Sequence, residues 1–231
     1  MRRLALLTLA AAVMLAVAAA AFAGPRDPRV HKHPADVRQA KALILRLSDL
    51  PAGFVDKGPQ RNDSGPTPPG CTEPSLHALV ETADVSSHNF ERDQAGFAEA
   101  LSETSFFVRP AQAQKAVAAS TSSKLTHCVK QAIVASAKKS SGGAMTVVST
   151  RLVPISETVR DLHTRIWDIF VNFKARGLLF RDEMVLAYFR RGRVVSFVML
   201  NSINGLTAEE ARVISARLTR RLESLPKSVV S

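Results

Sequence analysis

The sequence predicts an α+β domain, an antiparallel β-sheet with helices packed on one face and one disulfide, and three observations carry that expectation. Residues 145–200 alternate apolar and polar positions with short turns between them, the pattern of a strand meander. Before and after that stretch the apolar spacing changes to i, i+3, i+4, i+7, the pattern of amphipathic helices. The chain also holds two cysteines, Cys71 and Cys128, behind what reads as an export signal.

The first helix is expected over 35–47, where Ala40, Leu43, Ile44 and Leu47 form a stripe, Asp36 sits at the start and Pro51 follows the end. Residues 57–72 are rich in Pro and Gly and read as a loop. Residues 76–80 read as a helical turn and 85–90 as extended. Residues 97–108 end in Phe106-Phe107-Val108 and read as a strand. Pro110 fits the first position of a helix running to about 137, with an interruption at Ser120-Thr121-Ser122-Ser123. In the meander, Trp167, Ile169, Val171 and Phe173 share one face of a strand, with Ile166, Asp168, Phe170, Asn172 and Lys174 on the other. Phe180, Asp182, Met184, Leu186 and Tyr188 share a face of the next. Arg190-Arg191-Gly192-Arg193 is read as a hairpin connection. Thr207 with Glu210 is a capping-box pair for a last helix that Pro226 ends. An antiparallel sheet with a mixed outer face and helices on its inner face satisfies this order.

Arg2 and Arg3, the apolar run 4–23 and the small-x-small triplet Ala21-Phe22-Ala23 make a secretory signal over 1–23, cleaved after Ala23. The alternative for the same run is a retained membrane anchor, since its length also suits a spanning helix. No cysteine follows it directly, so no lipid-anchor site is expected there. Residues 24–34 read as a flexible basic leader, 35–226 as one domain and 227–231 as a tail. Two cysteines in an exported chain are expected to pair. They lie 57 positions apart, and the chain-entropy argument gives about 4 kcal/mol for closing such a loop.

The formal charge is +11, which draws an exported protein toward anionic surfaces such as acidic wall polymers or lipid headgroups. With one Trp and one Tyr, the supply of stacking groups is poor for single-stranded nucleic acid, and no nucleic-acid partner is expected. Catalytic and cofactor motifs are absent from the sequence: no GxSxG, HExxH, GxGxxG or P-loop occurs, and the six histidines are scattered. No cofactor, metal or enzymatic activity is therefore expected. The close carboxylates of Glu81-Thr82-Ala83-Asp84 and Arg181-Asp182-Glu183 read as solvated strand ends. Trp167, Phe170 and Tyr188 are the candidate ligand-binding residues, because large aromatics on both faces of a half-solvated meander imply an edge or a cleft.

Several features taken in order resemble a known family. They are Leu50-Pro51-Ala52-Gly53-Phe54 after the first helix, Cys71 after a polar loop, a strand into Phe106-Phe107, Leu125-Thr126-His127-Cys128 on an Ala-rich helix, Arg190-Arg191-Gly192-Arg193-Val194-Val195 in the meander, and Arg220-Arg221-Leu222 in the last helix. The chain resembles, over about 38–224, the small exported sensor-like domains of actinobacteria, including extracellular sensor domains of some Ser/Thr protein kinases. That resemblance implies an α+β domain with a ligand-taking cleft and no enzymatic activity, holding a small or amphipathic ligand in the cell envelope. Several kinase-linked relatives carry two disulfides, whereas this chain has cysteines for one.

Overall fold

The computed structural model describes residues 29–60, 71, 76–93, 96–141, 144–159, 161–175, 177–203, 206 and 208–231. The expected signal over 1–23, most of the 57–72 loop and the Thr207 cap lie outside these residues. Among the described residues no helix is long and apolar enough to cross a membrane.

Among the described residues nine strands form one sheet: β1 (Arg29–Val30), β2 (Val55–Pro59), β3 (Val80–Ser86), β4 (His88–Arg92), β5 (Phe97–Phe107), β6 (Met145–Val159), β7 (Leu162–Ala175), β8 (Leu178–Arg191) and β9 (Val194–Ile203). Their spatial order is β1-β3-β5-β9-β8-β7-β6, with β4 also beside β5 and β2 beside β4. Every pairing is antiparallel except the edge pair β1 with β3. The expected meander is present, and its strands are longer than the sequence pattern marks, because β6, β7 and β8 stay paired almost to their turns. Residues 29–30, read as part of a flexible leader, add an edge strand instead: the Arg29 and His31 amides donate to the Leu79 and Glu81 carbonyls.

Five helices among the described residues flank the sheet: α1 (Pro34–Leu43), α2 (Pro110–Ser120), α3 (Ser123–Ser140), α4 (Ala208–Glu223) and α5 (Lys227–Val230). The fold class and the antiparallel sheet are as the sequence predicts, but the helices cover both faces rather than one. On β8, Met184, Leu186 and Tyr188 pack with Ala113, Ala116, Val129 and Ile133 of α2 and α3. Ala187 and Phe189, on the opposite face, pack with Ala40, Leu43, Ile214, Leu218 and Leu222 of α1 and α4. The physical reason is visible in β9, Val194–Ile203, where every residue is buried. A strand apolar on both faces needs cover on both. Half-solvation holds toward the β6 edge, where Val148 and Ile155 are exposed, at the start of β8 and on the outlying β2.

Arg191 and Arg193 at the β8–β9 connection, with Arg221 of α4, bind the layers together. The Arg191 guanidinium donates to the Leu222, Glu223 and Leu225 carbonyls at 2.7–3.0 Å, closing the C-terminus of α4, and to Asp161 at 2.7 Å. Arg221 on α4 reaches Asp49 and the Ile44 carbonyl. Arg193 forms a two-pronged pair with Asp36 of α1, both bonds at 2.8 Å. Residues 227–230, read as a tail, form α5, and the Arg193 amide donates to the Val230 carbonyl at 2.9 Å.

This docking requires glycine at 192. Its φ is +55°, and a Cβ there would stand 1.8 Å from the Val230 carbonyl oxygen. Gly192→Ala is expected to displace α5 and cost about 1–3 kcal/mol. Urea unfolding should show a lower midpoint, and amide exchange should be faster at residues 227–231 than in wild type.

Candidate functional site

A cavity of about 180 Å³ opens between α2 and the sheet. Its floor is Ser105 and Phe107 of β5, Val195 and Phe197 of β9, and Tyr188 of β8; its roof is Ala116, Val117 and Ser120 of α2. The space exists because α2 presents small side chains to the sheet at this level: Ala116 and Val117 leave room above two aromatic rings. The Tyr188 and Phe197 rings contact each other at 5.0 Å between centroids and 40°. Glu81, Asp84 and Glu103 supply the acidic part of the lining. Glu81 and Asp84 reach the same face because the β3–β5 register shifts between Glu81 and Ala83. Burial raises the Tyr188 phenol well above the ordinary range, and the charge of Glu103 adds to that.

The three aromatic candidates fall in three different places. Tyr188 is buried and lines the cavity. Trp167 is half-buried at the border of the core beneath α2 and α3. Phe170, on the other face of β7, lies between two guanidinium groups, Arg151 at 4.7 Å and Arg181 at 4.6 Å from its ring centroid. The structure therefore brings one of the three to the cavity. The reason is sheet geometry: Trp167 and Phe170 are an odd number of positions apart on one strand and point to opposite sides.

Two carboxylates expected at solvated strand ends are buried instead. Glu81 is buried in the cavity wall. Asp182 is wholly buried, as is Glu99, which the sequence reading passed over. Burial pushes the Glu99 carboxyl up to about 7, aided by the charge of Glu91 and opposed by Asn89 and Asn201. Burial likewise raises Asp182 well above the carboxylate range, with Glu99 and Glu183 adding to the shift. One sequence signal marked Asp182: it falls in a period-two run with Phe180, Met184, Leu186 and Tyr188. Glu99 had a weaker one, sharing a period with Phe97 and Leu101.

Cys71 and Cys128 form the expected disulfide, with Cα atoms 5.5 Å apart, joining the segment before β3 to α3. Among the described residues no group of three or more His, Cys, Asp or Glu side chains is arranged to hold a metal.

No family model matches the chain. No curated protein matches it either. Among solved structures, the chain is similar to the extracellular domain of PknH from Mycobacterium tuberculosis, with 14% identity and a TM-score of 0.40 over 84% of this chain and 100% of that one. This is a weak likeness at the level of the fold, and a superposition of that quality transfers neither a site nor an activity.

Proposed function

We propose that the protein is an exported, non-enzymatic binding protein of the cell envelope, sensor-like in character, that takes a small or amphipathic ligand in the cavity between α2 and the sheet. The observation that carries this reading is the cavity itself, a partly open cleft with an aromatic floor and a polar wall. Apolar surface with a few placed polar groups is the composition of ligand sites. Its volume limits the ligand. Small-molecule sites usually hold about 300–1,000 Å³, and about 180 Å³ equals the liquid volume of roughly six waters. The cavity therefore suits a molecule of about ten non-hydrogen atoms or one end of a longer amphipath. In a chain of net charge +11, Glu81, Asp84 and Glu103 give this one cavity an acidic wall. A cationic or hydroxyl-bearing head is favoured there over an anionic one.

Filling the cavity tests the reading. Val117→Trp places an indole over Tyr188 and Phe197. Protein purified from its own host is expected to carry a small molecule visible by native mass spectrometry, and the Val117→Trp protein is expected to lack it while unfolding cooperatively. A wild-type mass equal to that of the bare chain, with no thermal shift from lipid extracts or wall fragments, would defeat the proposal.

A second reading rests on a different surface. Arg151 and Arg181 clasp Phe170 on the open face of the meander, with exposed Lys174 on the same face. Such a patch suits acidic wall polymers or lipid headgroups. Binding through it would weaken steeply between low and moderate salt, whereas occupancy of the cavity would change little.

A further inference from the structure

A polar atom buried without a partner costs about 1–3 kcal/mol, more when it is charged, so folded proteins hold few of them. Here a group of them gathers at one place. Glu99 of β5 and Asn201 of β9 stand directly opposite each other. Asn201 in turn opposes Met184 of β8, and Asp182 lies two positions along that strand on the same face. Glu91 of β4 opposes Glu99, which puts Asn89 on that face as well. Glu99, Asp182 and Asn201 are wholly buried, and Asn89 is 8% exposed.

Among the described residues, both carboxylate oxygens of Glu99, both of Asp182, the amide oxygen of Asn89 and both polar side-chain atoms of Asn201 have no partner at hydrogen-bond geometry, while the Asn89 amide nitrogen donates to Glu91 at 3.3 Å. No Lys, Arg or His among the described residues forms an ion pair with either carboxylate. The charges acting on Glu99 and Asp182 are those of other carboxylates: Glu91 acts on Glu99, and Glu99 and Glu183 act on Asp182, while the Asn89 and Asn201 side chains beside Glu99 and the Glu183 amide beside Asp182 pull the other way. Without a counter-charge, burial favours the neutral acids, which waters could satisfy. A cation would accept all the oxygens at once and balance both carboxylates in their ionised forms.

We propose that Asn89, Glu99, Asp182 and Asn201 form an internal site for one divalent cation of the calcium type. Six oxygen donors from four side chains match the lower end of the calcium coordination range. Two carboxylates neutralise a charge of +2. The set has neither thiolate nor imidazole, which sets it apart from zinc and copper sites. Magnesium is less suited, since it retains several waters and is seldom held in an all-protein cage. Half of the donor side chains are carboxamides, so the site holds two acidic ligands rather than three. With a cation in place, β4, β5, β9 and β8 are tied at one point beneath α3. The site is separate from the α2 cavity: Glu99 lies roughly 13 Å along β5 from Glu103 at about 3.3 Å per residue.

The test uses the whole exported chain, stripped with EDTA and dialysed into metal-free buffer at pH 7.5. Titration with calcium chloride to 5 mM at constant ionic strength is expected to raise Tm saturably by roughly 4 °C or more. Equilibrium dialysis is expected to find close to one calcium per chain. Glu99→Gln/Asp182→Asn, which removes both buried charges, is expected to fold with a Tm in EDTA no lower than wild type and to ignore calcium. An equal calcium response in that variant would overturn the assignment. So would wild-type protein that binds no calcium at 5 mM free cation, and this second outcome decides the matter even where the variant fails to fold. Neither result bears on cavity occupancy, which is read by native mass spectrometry of the organic ligand.

Discussion

Replacing Asp36 with Ala is expected to cost about 3–5 kcal/mol, the loss seen when one member of a buried ion pair is removed. Asp36 is 6% exposed in the first turn of α1, 157 positions from its partner Arg193. The two make the fork-to-fork arrangement that gives carboxylate–guanidinium pairs their strength. Thr82 of β3 also donates to Asp36. The rest of the Arg193 guanidinium is committed to the Phe107 carbonyl at 3.2 Å and the Val229 carbonyl at 2.7 Å, and it lies 5.3 Å from the Phe106 ring centroid. Without Asp36 this cation stays in the protein with its charge unanswered. The cluster joins α1, β3, β5, the β8–β9 turn and α5, so the loss falls on the whole domain. Urea unfolding should show a lower midpoint at unchanged m. Adding Arg193→Met to Asp36→Ala should cost little more than Asp36→Ala alone, because the two residues act as a unit. A single-variant loss below about 1 kcal/mol would refute the buried-pair account.

The same pair sets an acid limit. The Arg193 hydrogen bonds hold the Asp36 carboxyl below its ordinary range; burial opposes them and Thr82 assists. Its folded pKa thus lies below its unfolded value of about 3.9. The stabilisation is present above that unfolded pKa and is lost as pH falls through the folded one. The stability gap between wild type and Asp36→Ala should therefore be constant near neutrality and narrow below about pH 4.

Cys71→Ala/Cys128→Ala is expected to lose about 2–4 kcal/mol. Opening a 57-residue loop releases unfolded-chain entropy worth about 4 kcal/mol, and bridges often deliver somewhat less. Because the effect acts largely on the unfolded state, m should rise as the midpoint falls. Reduction of wild type should reproduce the midpoint of the double variant. Stability within about 0.5 kcal/mol of wild type would mean that this loop is already closed by other contacts.

Local pattern made much of the architecture legible. Period-two alternation marked β7 and β8, Pro110 marked the start of α2, and the Ser120–Ser123 interruption fell where α2 gives way to α3. The pairing of the two cysteines followed from export chemistry and parity. Burial of charge was the hardest feature to read. Asp36 looked like an ordinary helix-start acid, and the arginines at 190–193 looked like hairpin filler. Their roles depend on partners that are distant in sequence, and no window of local pattern contains both members of such a pair.

The main helices, the strand alternation of the meander and the single disulfide were settled by the sequence alone, since each depends on backbone preference, side-chain period or cysteine number. Tertiary structure decided which faces of the sheet are covered, where α2 stands off to leave a cavity, and which carboxylates meet inside. Those outcomes rest on burial and on electrostatic partners drawn from separate strands and helices, and both are properties of the packed assembly rather than of any one segment.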